Sequence, residues 1–181
     1  MERGIRIVLI GGKASSRTYA AQILKRYFKF KHMRISQGVD KIIRTFYMYG
    51  TLKQKIRWEK RIHIYDALYK IDNDIHINYL VRLLDTTTRD VVIDDVRYIN
   101  ELLELQKHDF VIVRVEVPQK GYRHVGRTVL DAAGGTLAVS ETFGRAGQLP
   151  YKADYSIYLE NKETLQRDLQ RILDLIRESR V

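Results

Sequence analysis

Residues 5–18 read Ile5-Arg6-Ile7-Val8-Leu9-Ile10-Gly11-Gly12-Lys13-Ala14-Ser15-Ser16-Arg17-Thr18. The first six form a short apolar run, β-branched at four positions, that ends on glycine. This is the pattern of a buried strand. Downstream, Ala21, Leu24 and Phe28 recur at helical spacing, so residues 18–30 are expected to form a helix. A strand that runs through a glycine turn into a helix is the opening of a βα unit, and the rest of the chain repeats that alternation.

Working outward, His32 to Ser36 is expected as a short strand. Val39 to Tyr49 reads as a helix, with Val39, Ile42, Ile43, Phe46 and Tyr47 on one stripe, and Gly50 ends it. Residues 51–70 form a second basic helical stretch, broken near His63. Ile75 to Leu84 is a further helix behind a capping region at Asp72 to Asp74. Val91-Val92-Ile93-Asp94-Asp95 is the clearest second strand, apolar until it meets two carboxylates. Asn100 to Lys107 is a helix, Phe110 to Val117 a third strand closed by Pro118, Tyr155 to Leu159 a last strand. Lys162 to Arg177 is a long helix with Leu165, Leu169, Ile172, Leu173 and Ile176 inward. Six of the eleven glycines lie in residues 119–150, so 118–150 is expected as a lid or mobile segment. The expected fold is α/β, a parallel sheet covered on both faces, with residues 1–181 as a single domain.

The chain of 181 residues is long enough for a real core. It has no cysteine, which excludes disulfides and cysteine-based zinc sites and fits a cytoplasmic protein. No apolar run approaches the roughly 18 residues of a membrane span, and the N-terminus lacks a secretory pattern. Thirty-two Lys and Arg against 22 Asp and Glu give a formal charge of +10, a surface that attracts polyanions. The charge is concentrated in residues 25–61, which carry twelve basic residues against Asp40 and Glu59. Tyr27, Phe28, Phe30, Phe46, Tyr47, Tyr49 and Trp58 are interleaved there. That texture suits nucleic acid, bound through phosphates and stacked bases. It equally suits amphipathic helices whose aromatics pack inward. The five histidines show no metal-ligand spacing.

In parallel sheets of this kind, ligands lie beyond the carboxyl ends of the strands. The Gly11–Thr18 turn, Asp94/Asp95 and the 118–150 segment all fall at such ends and should gather at one crevice. Gly11, Gly12, Lys13, Ser15, Ser16, Arg17 and Thr18 supply much of a phosphate-binding turn, in which backbone amides and a helix N-terminus face the anion. A complete P-loop ends in Gly-Lys-Ser/Thr. Counted from Gly12, those three places hold Arg17, Thr18 and Tyr19. Arg17 could take the lysine's role in a shorter loop, with Thr18 left for a metal, or Lys13 could curl back. Asp95 stands where a carboxylate would orient a magnesium shell, although Asp94 and Asp95 would also serve to cap a helix or pair with Arg97. Arg97 can clamp a phosphate with two bonds. Arg123, Arg127 and Arg145 could close over a phosphoryl group from a lid.

Together these stretches resemble the phage-type deoxynucleoside monophosphate kinases, a branch of the P-loop kinases. "IVLIGGKASSRTYAAQIL" (7–24) is similar to that family's opening strand, turn and helix. "VVIDDVRYINE" (91–101) is similar to its strand ending in Asp-Val-Arg, then an aromatic and Asn-Glu. "FVIVRVEVP" (110–118), "VSET" (139–142) and "DYSIYLEN" (154–161) follow in the family's order, and "YGTLKQKIR" (49–57) resembles a basic segment before them. The resemblance implies a three-layer P-loop kinase-like fold with a Gly-rich lid. It implies phosphoryl transfer from ATP with Mg2+ to a nucleoside or deoxynucleoside monophosphate. Gly12, Lys13 and Ser16, with Arg17 and Thr18, would face the ATP phosphates. Asp95 and Arg97 would lie at the metal and acceptor side, with Glu141 near the acceptor, Arg127 and Arg145 helping to bind it, and Arg17, Asp95 and Arg97 as the catalytic set. Thr18 and Asp95 would hold the metal. Other expected partners are nucleic acid at the basic surface and a second copy of the chain as a homodimer; no membrane is expected. The alternative is a catalytically silent kinase-like protein that serves as a basic nucleic-acid-binding or assembly module.

Overall fold

The computed structural model describes residues 4–11, 14–48, 58–116, 153–159 and 161–180. Five strands form one all-parallel sheet in the order β2-β3-β1-β4-β5. They are β1 (Arg6–Ile10), β2 (Lys31–Met33), β3 (Val91–Ile93), β4 (Val111–Glu116) and β5 (Tyr155–Tyr158). The helices are α1 (Ala14–Tyr27), α2 (Gln37–Met48), α3 (Trp58–Ile71), α4 (Ile75–Leu84), α5 (Ile99–Lys107) and α6 (Lys162–Glu178). No helix among the described residues is long and apolar enough to cross a membrane.

β1 lies at the centre, with Arg6 opposite Val91 of β3 and Ile7 opposite Val111 of β4. Its side chains alternate between two cores because successive strand residues point to opposite faces. Val8 and Ile10 enter a core with Ile43, Tyr65, Leu80 and Leu102, from α2 to α5. Ile7 and Leu9 enter a second core with Ala20, Leu24, Leu165 and Leu169, from α1 and α6. The chain thus leaves β1 over one face through α1, and leaves β3 over the other through α5. The two connections part at the carboxyl ends of neighbouring strands, the topological switch point, where sheets of this kind take their ligands.

The expected architecture of a helix-covered parallel sheet is present, but several local boundaries differ. α1 begins at Ala14, four residues earlier than its apolar spacing suggested. Ser15, Ser16, Arg17 and Thr18 therefore lie in helix, not in an open turn. The reason is Gly11, which adopts φ 106°. A Cβ there would stand 2.6 Å from the Val115 carbonyl oxygen, so the chain turns sharply against β4 ahead of α1. α1 stops at Tyr27, earlier than expected, because Lys29 is left-handed at φ 63° and Phe30 N–H returns to the Leu24 carbonyl. α3 runs unbroken through His63. β3 ends at Ile93, so Asp94 and Asp95 lie beyond it in the crevice loop. The α4 cap also differs: Asp74 makes no side-chain cap bond, and Asp72 instead accepts the Asp74 N–H. α6 presents Leu165, Leu169, Ile172, Leu173 and Ile176 inward as expected. The segment 118–150 and the stretch 49–57 lie outside the described residues.

Candidate functional site

The crevice is built from the first turn of α1 and the loop after β3. Three residues at most separate β1 from α1, so the free N–H groups of the first helical turn face the carboxyl end of the sheet. Arg17 closes that turn and Thr18 opens the next. Arg17 is 4% exposed and lies near Asp94, Asp95 and Arg97. Burial lowers its pKa, the two carboxylates oppose that, and Arg97 adds to it. Arg17 Nε has no hydrogen-bond partner among the described residues.

Asp94 is the carboxylate that meets α1. Its side chain accepts from Thr18, and its Oδ1 lies 2.7 Å from His32 Nε2 on β2. Burial pushes its pKa up. The His32 bond and charge, the Thr18 hydroxyl and the Arg17 guanidinium outweigh burial, and the net shift is downward. Asp94 therefore stays ionised in a buried setting because cations and donors surround it.

Asp95 turns the other way. Its Oδ1 accepts Ile35 N–H at 2.8 Å. Its Oδ2 accepts Ser36 N–H at 3.1 Å and Ser36 Oγ at 2.6 Å. Both oxygens are engaged in holding the turn that starts α2, as an acidic cap would be.

Arg97 follows and lies over the Tyr65 ring, with its guanidinium carbon 4.4 Å from the ring centroid. On the ring's stack lies His76, with centroids 3.6 Å apart. A second pair, Tyr69 and Tyr98, stacks at 3.7 Å beside it. Glu101 closes the arrangement. It is fully buried, accepts Arg97 N–H at 2.7 Å and Tyr98 N–H at 3.0 Å, and accepts the Tyr65 hydroxyl. Burial pushes Glu101 up to about 7 in spite of these three donors, and the charge of Asp95 adds to the rise. Burial, with Glu101 beside it, also raises Tyr65, so its hydroxyl remains a donor. Burial lowers His76, whose Nε2–H donates to the Tyr65 carbonyl at 2.9 Å. Tyr98 is pushed up to about 12 by burial and Asp66.

The crevice thus brings together Arg17, Thr18, Asp94 and Arg97, with Gly11 and the buried Ser16 at the entry to α1. Ser15 lies in the same helical turn by its backbone. Gly12, Lys13, Arg123, Arg127, Glu141 and Arg145 lie outside the described residues. Sequence reasoning missed His32, Tyr65 and His76, which no local spacing links to the crevice. Glu101 carried a signal: an acidic residue at the third position of a helix, able to reach back to the entry N–H groups. The crevice holds charges of both signs, Arg17 and Arg97 against Asp94 and Asp95. A helix N-terminus and two guanidiniums supply positive potential, and a hydroxyl beside an ionised carboxylate offers a place for a hard cation. No family model matches the chain, and no curated protein matches it in sequence.

Proposed function

We propose that the chain is a nucleotide-binding phosphotransferase of the nucleoside monophosphate kinase type, fed by ATP. The observation that carries this reading is the meeting of Arg17 and Thr18, near the N-terminal end of α1, with Asp94 and Arg97, beyond β3, at the switch point of a parallel sheet. ATP would set its phosphates against the N-terminal end of α1. Magnesium asks for one or two carboxylates and completes its shell with water and phosphate oxygens. Thr18 and Asp94 fit that demand, even though no cluster of three acidic or histidine ligands occurs among the described residues. The ion would supply charge neutralisation for the transferred group. Arg97, over the Tyr65 ring, suits the acceptor phosphate.

One observation favours the second reading, a kinase-like fold without turnover that serves as a binding or assembly module. Arg17 is buried against Asp94 and Asp95, so an incoming phosphate must compete with two carboxylates for it.

Thermal unfolding with ATP–magnesium and a panel of nucleoside and deoxynucleoside monophosphates separates the two. The kinase reading expects stabilisation by ATP–magnesium and ADP release that depends on a monophosphate. Thr18→Ala, at an exposed position, should keep the fold and weaken the magnesium dependence. Failure of every nucleotide to shift unfolding, at concentrations well above ordinary nucleotide affinities, rejects the reading.

A further inference from the structure

A second concavity lies outside the edge strand β2, and His32, which lines it, also reaches Asp94 of the crevice. It encloses about 600 Å³ between α2 and α4, within the roughly 300–1,000 Å³ of ligand-binding clefts. One wall is the face of α2 that carries Gln37, Lys41, Arg44 and Met48. The other is α4, with Tyr79 and Leu83, and His32 and Arg34 stand at the strand end. From Gln37 to Met48, α2 spans about 16 Å, so the groove is elongated.

Its charge is positive and uncommitted. Asp40 lies in the groove but is bracketed by two guanidiniums, Arg34 at 2.6 Å and Arg61 at 2.9 Å. Lys41 and Arg44 are exposed and have no carboxylate partner among the described residues. Gln37 Nε2 is buried with no acceptor among the described residues. The opposite wall is aromatic and apolar. Tyr79 is held there by close packing: a Cβ at Gly38 would lie 3.1 Å from its ring, so α2 presses directly on the ring and fixes it.

We propose that this groove binds a single strand of nucleic acid, with phosphates on Lys41 and Arg44 and a base against Tyr79 and Leu83. Cations along one wall and a fixed aromatic on the other are what sequence-independent binding of single strands requires. The length favours a strand over a lone nucleotide. Successive phosphates of one strand advance about 3.4 Å along a duplex axis and lie farther apart along the strand itself, so the length of α2 leaves room for at least two. This binding does not depend on phosphoryl transfer at the crevice, so either property can fail alone.

The test is fluorescence anisotropy of a short labelled oligothymidylate with the full chain over a range of salt. Two neutralised phosphates give a log–log salt slope of about −1.4, or about sevenfold weaker binding between 50 and 200 mM salt. Lys41→Gln with Arg44→Gln should flatten that slope and weaken binding at low salt. Tyr79→Leu should weaken binding about tenfold and leave the slope unchanged. A matched pair, Arg167→Gln with Arg171→Gln, removes the same charge from exposed positions on α6 and should have little effect. All of these substitutions can be checked for folding by thermal unfolding. An equal loss from the α6 pair would mean non-specific attraction to a +10 chain, and would overturn the proposal. So would thymidine monophosphate competing as well as the oligonucleotide, or no binding by the parent chain.

Discussion

Glu101 makes stability depend on pH in a direction opposite to that of most paired carboxylates. Its pKa rises from 4.5 in the unfolded chain to about 7 in the folded one, chiefly through burial. Below pH 4.5 it is protonated in both states and carries no penalty. Between 4.5 and about 7 the unfolded chain releases the proton while the folded chain keeps it, so stability falls as pH rises. Above 7 the full penalty applies, about 3 kcal/mol for such a shift. Glu101→Gln removes the titration and keeps an oxygen for the N–H groups of Arg97 and Tyr98, while its amide can donate to the Tyr65 oxygen. Urea unfolding of parent and variant at several pH values is the assay. The variant should gain on the parent by up to about 1.4 kcal/mol per pH unit across this window, and by little outside it. Parallel curves would refute the reasoning, because they would mean that Glu101 ionises as readily when buried as when unfolded.

Three further outcomes follow from the crevice. Gly11→Ala must accept a positive φ and a Cβ 2.6 Å from the Val115 carbonyl oxygen; it should lose about 3 kcal/mol in urea unfolding. Asp95→Asn weakens three hydrogen bonds that hold the start of α2 and should cost about 2 kcal/mol with little change in magnesium dependence. Asp94→Asn should show the reverse balance, with nucleotide–magnesium stabilisation lost first; equal behaviour of the two variants would contradict the division of labour between them.

The apolar patterns were the legible part of the chain. β1, α4 and α6 could be read closely because each depends on its own residues: a short run ending at glycine, a ten-residue stripe, and a heptad-like face. The start of α1 could not. Ser15-Ser16-Arg17-Thr18 favours turns locally, and the helix begins early only because Gly11 turns hard against β4, a strand about a hundred residues away in sequence. The division between the two aspartates was hidden for a similar reason. Adjacent residues beyond a strand point to opposite faces, so Asp94 meets His32 and Thr18 while Asp95 meets Ser36. The Tyr65–His76 stack joins α3 to α4 by tertiary packing alone. The positions of Arg17, Thr18 and Arg97 near one crevice could be anticipated from strand ends, but the inward setting of Arg17 could not.

The central place of β1 has a consequence for how the chain is made. Of the five described strands it is made first, and it pairs with two that are made later. Ile5 finds Asp90 only 85 residues later, and Arg6 finds the His108 carbonyl 102 residues later. At about 5–20 residues per second, that is several seconds or more of nascent chain with an unpaired apolar strand. Arg6 is the one charge within that run. In the finished sheet it is buried, with its guanidinium carbon 6.0 Å from the Phe110 ring centroid; a charge within an apolar strand is the kind of residue that disfavours pairing between unfolded chains.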